Sequence, residues 1–377
     1  MLKRIKNKIL LALLLTLAAG LAFAEPKEPP LDTPDKQPGA FHSTSDREAV
    51  SLCPESEQYL RDGEIDKGTQ ALSLCIRKNP ENAVLYIMRG SALMMNGDLE
   101  NAIKDFDHAI KLDPTSGKAF ELKGVAKIKA GNSDQGIKDL DRAIELSPPN
   151  HALLMQKGNI LLSLGRPREA VDVFTTALEV FPQPFFGIYS SRAAAYEAMG
   201  DYPKAVLDYD HAISLEPDFP PLYFSRGLTN FYLGRYERAI MDFRKALKKD
   251  KDEKTALMAA VTLYKMKKKN EGEMILKKSL PTASQSIKPI MQLYLGKISD
   301  KKFIEAANAS PAQESIFYGF LGEYYLIREM KEEAKKSFKR CIETSRPESN
   351  IPVRFSRAEL ERMKGMDENM KQGMRVK

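Results

Sequence analysis

The chain has 377 residues, 43% hydrophobic and 29% charged, which is too apolar for a wholly disordered polypeptide and long enough for two or three domains or one repeat array. Its formal charge of +7 falls to +3 once Lys3, Arg4, Lys6 and Lys8 are set aside, so the body lacks the basic field of a nucleic-acid or anionic-membrane binder. Three Cys and four His argue against a disulfide-knit miniprotein and a multi-zinc protein.

Residues 2–8 are basic, residues 9–24 are apolar, and Ala22-Phe23-Ala24 precedes Glu25. That is the layout of a secretory signal peptide over 1–24. The apolar run falls short of the roughly twenty residues a bilayer-spanning helix needs. No Cys follows it to carry a lipid, and no later segment is apolar enough to span. The expectation is an exported protein, periplasmic in a bacterium or secreted, with no integral membrane segment after cleavage. Residues 25–48 hold five Pro and little that is apolar, and read as a flexible linker.

From residue 83 a 34-residue period governs the chain. Gly90, Gly124 and Gly158 keep it, as do Pro114, Pro148 and Pro182, with Pro217 one residue late. Ala109, Ala143, Ala177, Ala212 and Ala246 follow with the same single slip. Three residues before each lies a large side chain: Phe106, Leu140, Phe174, Tyr209, Phe243. Four earlier comes a small one: Ala102, Gly136, Ala170, Ala205, Ala239. Small residues let two antiparallel helices approach, and bulky ones fill the space between them. Turn signals such as Asn96-Gly97-Asp98 and Gly200-Asp201 separate helix A from helix B, and the Pro after helix B ends the unit. One such hairpin cannot bury its own apolar face, so neighbours must stack.

This period and pattern resemble the tetratricopeptide repeat (TPR). The resemblance implies an all-α, right-handed superhelical solenoid of helix-turn-helix repeats with a C-terminal capping helix. The array is placed at 49–348, its best units being 83–116, 117–150, 151–184, 186–219, 220–253 and 315–348. Residues 49–82 and 254–281 fit less closely, and 287–309 read as a shortened hairpin. Residues 349–377 are the capping helix and tail, with the amphipathic stretch 354–366 suited to covering the last hairpin. LYLGKIS (293–299), FYGFLGEYYL (317–326) and AKKSFKRCIE (334–343) also resemble the C-terminal half of the NlpI-type bacterial envelope TPR lipoproteins. Those are scaffolds that dock peptidoglycan hydrolases and a periplasmic protease. The family's lipid-bearing Cys is absent here.

Little in the chain points to catalysis, and no cofactor or metal is expected. His108 and His211 each sit in an Asp-His-Ala-Ile string and read as a solvated helix face. Ser299 and Lys302 match Ser-x-x-Lys, a two-letter pattern set in a hairpin turn without its companion motifs. Cys53 and Cys75 fall on the two helices of the first unit. Either they form a disulfide stapling that hairpin, or both are buried thiols used as small core residues. Cys341 occupies the small-residue slot. The Lys run 265–269 is interleaved with acids and reads as solvated turn surface.

In a TPR stack the inner wall is made by helix A. The 34-residue register places Met94, Met95, Glu121, Val125, Met155, Asn159, Leu162, Ser190, Glu197, Phe224, Leu228 and Phe231 on that wall. An apolar wall rich in Met and Phe suits a protein or peptide segment. The expected function is a non-catalytic scaffold or adaptor that binds protein segments there, its clients by resemblance envelope or cell-wall enzymes. The alternative is a structural self-assembly module, for which a homodimer is the simplest form.

Overall fold

A computed structural model describes residues 53–148, 150–181, 185–345 and 351–375, with side chains as far as 365. The signal-peptide and linker segments lie outside the described residues. The rest is helical, in two compact units that part at residues 182 and 183.

The first unit runs through α1 (Pro54–Arg61), α2 (Ile65–Lys78), α3 (Ala83–Met95), α4 (Leu99–Leu112), α5 (Gly117–Lys129), α6 (Ser133–Leu146), α7 (His151–Ser163) and α8 (Pro167–Val180). The second runs through α9 (Phe186–Met199), α10 (Tyr202–Leu215), α11 (Pro220–Tyr232), α12 (Tyr236–Lys249), α13 (Glu253–Lys265) and α14 (Lys269–Ser279). It continues with a short hairpin, α15 (Lys288–Tyr294) and α16 (Asp300–Asn308), then α17 (Glu314–Ile327), α18 (Lys331–Glu343) and α19 (Ile351–Arg375). Within each unit each helix packs on the next, except that α14 and α15 meet through the 3-10 turn Leu280–Thr282. Odd-numbered helices through α13, together with α17, are the A helices.

Local chemistry explains the boundaries. Side chains of Asn82, Asp98, Ser116, Asn150, Asp201 and Asp252 each accept a backbone N–H in the first turn of the helix they precede, satisfying donors that have no partner within the helix. The A-to-B turn needs a left-handed residue, and Gly97 (φ 83°) and Gly131 (φ 89°) supply it without a Cβ penalty. The periodic small residues sit where helices touch: Ala109, Ala143, Ala177 and Ala212 are fully buried. Gly90 has a Cβ-sized space filled by the Phe106 ring, whose Cε1 would lie 2.7 Å from an added Cβ.

A ladder of ion pairs runs through the same register. Arg89 in α3 pairs with Asp105 in α4 at 2.7 Å, and Arg192 in α9 with Asp208 in α10 at 2.8 Å. Lys123 in α5 reaches Asp107 in the preceding B helix (2.9 Å) and Asp139 in its own (3.5 Å). Arg226 likewise holds Asp210 and Asp242, both at 2.6 Å. Each partner lies sixteen residues before or after its base, so the ladder locks the register of one hairpin and of its neighbour. Each pair has at least one side chain largely shielded from water, and such pairs specify geometry more than they add stability.

Cys53 and Cys75 are joined by a disulfide that ties the start of α1 to α2. Ser299 is the N-cap of α16, its Oγ accepting the Lys302 N–H at 3.3 Å, so Ser-x-x-Lys is here a capping geometry. His108 and His211 are exposed and stack on Tyr86 and Tyr189, with ring centroids 4.3 and 5.2 Å apart.

Candidate protein-binding surface

The expected wall residues of the first unit separate into two groups. Met94 packs with Ala102, Phe106 and Ala126, and Val125 packs with Leu140, Ala143 and Leu153, so both serve the joints between helices. Glu121 pairs with Lys118 at 3.1 Å. Met155 and Leu162 are half-buried, whereas Asn159 is exposed and Met95 is 67% exposed, the side chains most open to a partner.

In the second unit the same wall is covered. Ser190, Glu197, Leu228 and Phe231 were expected to face a partner and are instead buried, Phe231 at 1% exposure. Phe224 is half-buried and turns toward Phe243, ring centroids 6.0 Å apart. The cover for Glu197 and Phe231 is the chain's own C-terminal helix. As expected, α19 packs on the last hairpin, α17 and α18, but it also reaches α11. Its side chains meet four A helices, α9, α11, α13 and α17.

The contacts are specific. Phe355 is fully buried, its ring centroid 6.4 Å from Phe231 and 5.3 Å from Phe320. Arg354 donates to Glu197 at 2.5 Å, and the Thr229 hydroxyl donates to the same carboxylate. Arg362 donates to the carbonyls of Phe231 and Tyr232, where a cation meets the negative end of the α11 dipole. Lys265 bridges Glu323 of α17 (3.0 Å) and Glu359 of α19 (2.7 Å). Lys265 therefore leaves the solvated run assigned to 265–269: its side chain is 10% exposed and spans the joint.

Burial dominates the electrostatics here. It pushes the Glu197 carboxyl above the usual range, with the Arg354 charge and the Thr229 hydrogen bond opposing it. It pushes Glu323 up to about 7, against the pull of Lys265. Burial also works against the Lys265 charge, but Glu323 and Glu359 outweigh it and hold the ammonium above the ordinary lysine range. The Cys341 thiol, buried beside Gly319, is raised to about 11.

Phe355, Glu359 and Arg362, at i, i+4 and i+7, share one face of α19. From sequence Lys265 reads as part of a solvated run and 354–366 as an amphipathic cap, but neither these residues nor Glu323 is given a pairing role. A signal was present: Glu197 and Glu323 are lone acids inside the apolar strings AAAYEAM and FLGEYYL. Among the described residues no cluster of His, Cys, Asp or Glu is placed to hold a metal ion, and no helix is long and apolar enough to cross a membrane.

Family models described as tetratricopeptide repeat match residues 83–116, 122–185, 190–259 and 316–347, together just over half of the chain. No curated protein sequence matches. Among solved structures, a tetratricopeptide repeat protein from Parabacteroides merdae ATCC 43184 aligns at 19% identity over 67% of this chain and 98% of that one, with a TM-score of 0.46. YrrB, described as a TPR protein with an unusual peptide-binding site, aligns at 21% identity over 51% of this chain and 98% of its own, with a TM-score of 0.41. PilW, described as a type IV pilus biogenesis factor, aligns at 18% identity over 54% and 95%, with a TM-score of 0.42.

Proposed function

From the premise that the chain belongs to the tetratricopeptide-repeat proteins, we propose that it is an exported, non-catalytic scaffold whose A-helix walls hold helical segments of partner proteins. One observation carries this reading. The wall of the second unit already seats an α-helix, residues 351–365, through an aromatic anchor and matched charges. A surface that holds one helix by side-chain recognition has the chemistry to hold another. In the first unit, Met95 and Asn159 remain open on the equivalent wall.

Export is supported by the signal-like residues 1–24 and by the Cys53–Cys75 bond, a linkage that persists in oxidising compartments. The resemblance of 293–343 to the NlpI-type scaffolds supports envelope or cell-wall enzymes as clients.

The test is recovery of partners from an envelope extract on the immobilised chain, beside a Met95→Glu/Met155→Glu variant. The reading expects a small set of proteins held by the wild type and lost by the variant. Recovery of the chain alone would favour self-assembly, and identical recovery on both would remove the first-unit wall as the site.

A further inference from the structure

The joint under α19 sets buried ion pairs among apolar contacts, where a permanent cap could be apolar throughout. Desolvating paired charges costs about what their attraction returns, so such pairs select which segment fits more than how firmly it is held. Buried polar atoms at the joint, Glu323 Oε1 and the Tyr232 hydroxyl among them, have no hydrogen-bond partner, and each costs its desolvation. The joint is thus built for recognition without being optimised for adhesion.

We propose that the A-helix wall within residues 186–327 is a receptor for one amphipathic helix of the pattern Arg-Phe-x3-Glu-x2-Arg, and that residues 351–365 occupy it as an internal ligand which a partner helix of that pattern displaces. This rests on the protein-binding reading above and names the class of segment bound. Each letter has its complement. The first Arg answers Glu197, and the Phe enters the space between Phe231 and Phe320. The Glu answers Lys265, and the last Arg answers the carbonyls that end α11. An internal ligand lowers the apparent affinity of an external one by the fraction of molecules in which the wall is open.

The joint also contains its own reporter. An added Cβ on Gly319 would meet Pro352, Cys341 and Phe355, so the thiol lies where α19 presses on α17 and α18. With Cys53 and Cys75 bonded, Cys341 is the remaining one of the chain's three cysteines.

The experiment uses the full chain and a fluorescently labelled synthetic peptide of residues 351–365. Weakening the internal helix by Phe355→Ala in the chain should tighten peptide binding by at least about tenfold over wild type, read by anisotropy. It should also speed Cys341 alkylation, and added peptide should slow it again. A chain carrying both Phe355→Ala and Glu197→Arg should prefer the Arg354→Glu peptide to the unaltered one, a reversal that general apolar adhesion cannot produce. If Phe355→Ala fails to fold, the chain with Arg354→Glu and Glu359→Lys opens the joint through charge alone and is read identically.

A folded, opened chain that takes up no peptide overturns the receptor. Uptake indifferent to the charge reversal overturns the pattern. A doubled mass by light scattering, with no peptide uptake, gives the site to a second copy and overturns the external partner. None of these outcomes touches the Met95 and Met155 comparison, which tests the scaffold reading separately.

Discussion

Arg354 and Glu197 stand 157 residues apart in the chain and 2.5 Å apart in space. Their pair, with Phe355 on Phe231, converts the tail of the chain into part of the wall it crosses. A double-mutant cycle on Arg354→Ala and Glu197→Ala should give a coupling of about 1–3 kcal/mol in urea unfolding. Additive losses would mean that the two side chains are neighbours without energetic contact.

Gly319→Ala should loosen α19 without removing any of its side chains. The new Cβ would sit 2.6 Å from Pro352 Cβ, closer than packed carbons tolerate, and 3.3 Å from Phe355 Cε2, a tight contact. Overpacking of this kind costs about 1–3 kcal/mol. The expected signature is a lower melting temperature together with faster alkylation of Cys341, measured on the same sample.

Burial raises the Glu323 carboxyl from 4.5 to about 7, so between those values the folded chain binds more protons at this site than the unfolded chain. By linkage, the contribution of Glu323 to stability falls as pH rises from about 4.5 through 7, and is most favourable below that window. Glu323→Gln removes the titrating group. Relative to wild type, the variant should gain stability between pH 5 and pH 7.5, by a few kcal/mol at most by the usual conversion of a pKa shift. A parallel pair of stability curves over that range would contradict the assignment.

Reducing the Cys53–Cys75 bond reopens a loop closed across a sequence separation of 22. In the chain-entropy model that is worth roughly 3 kcal/mol. The loss should be confined to the terminal hairpin of α1 and α2. Hydrogen exchange under reducing conditions should rise there first, and Cys75→Ser should reproduce it without reductant.

Ser299→Ala should lower stability by about 1 kcal/mol, the ordinary cost of losing an N-cap, with the effect centred on α16. A Ser299→Asp variant, which can still accept the Lys302 N–H, should restore it.

The hairpins were legible because their causes are local and repeat. Gly90 needs to be small because Phe106 lies over it, and the same need returns each time the period brings round another pair. The base-and-acid ladder was equally periodic, from Arg89 to Arg226, yet went unread because solvated Lys and Arg are common on helix surfaces. In the first unit Met95 and Asn159 of the expected wall are exposed, whereas Met94 and Val125 pack into the joints between helices. In the second unit the register could not show that Glu197, Leu228 and Phe231 were taken, since nothing periodic announces what covers them. Lys265 was misread for the same reason: its run looks solvated, and both its partners lie far along the chain.

By itself the sequence determined the repeat and the small and bulky residues that meet within each hairpin, because every one answers to a neighbour within about one period. Only the tertiary structure decided that residues 351–365 reach beyond the last hairpin onto α9, α11 and α13. Stacking brings Glu197, Phe231, Lys265 and Glu323 onto one wall, and their combined shape and charge, absent from any single segment, select the helix that fills it.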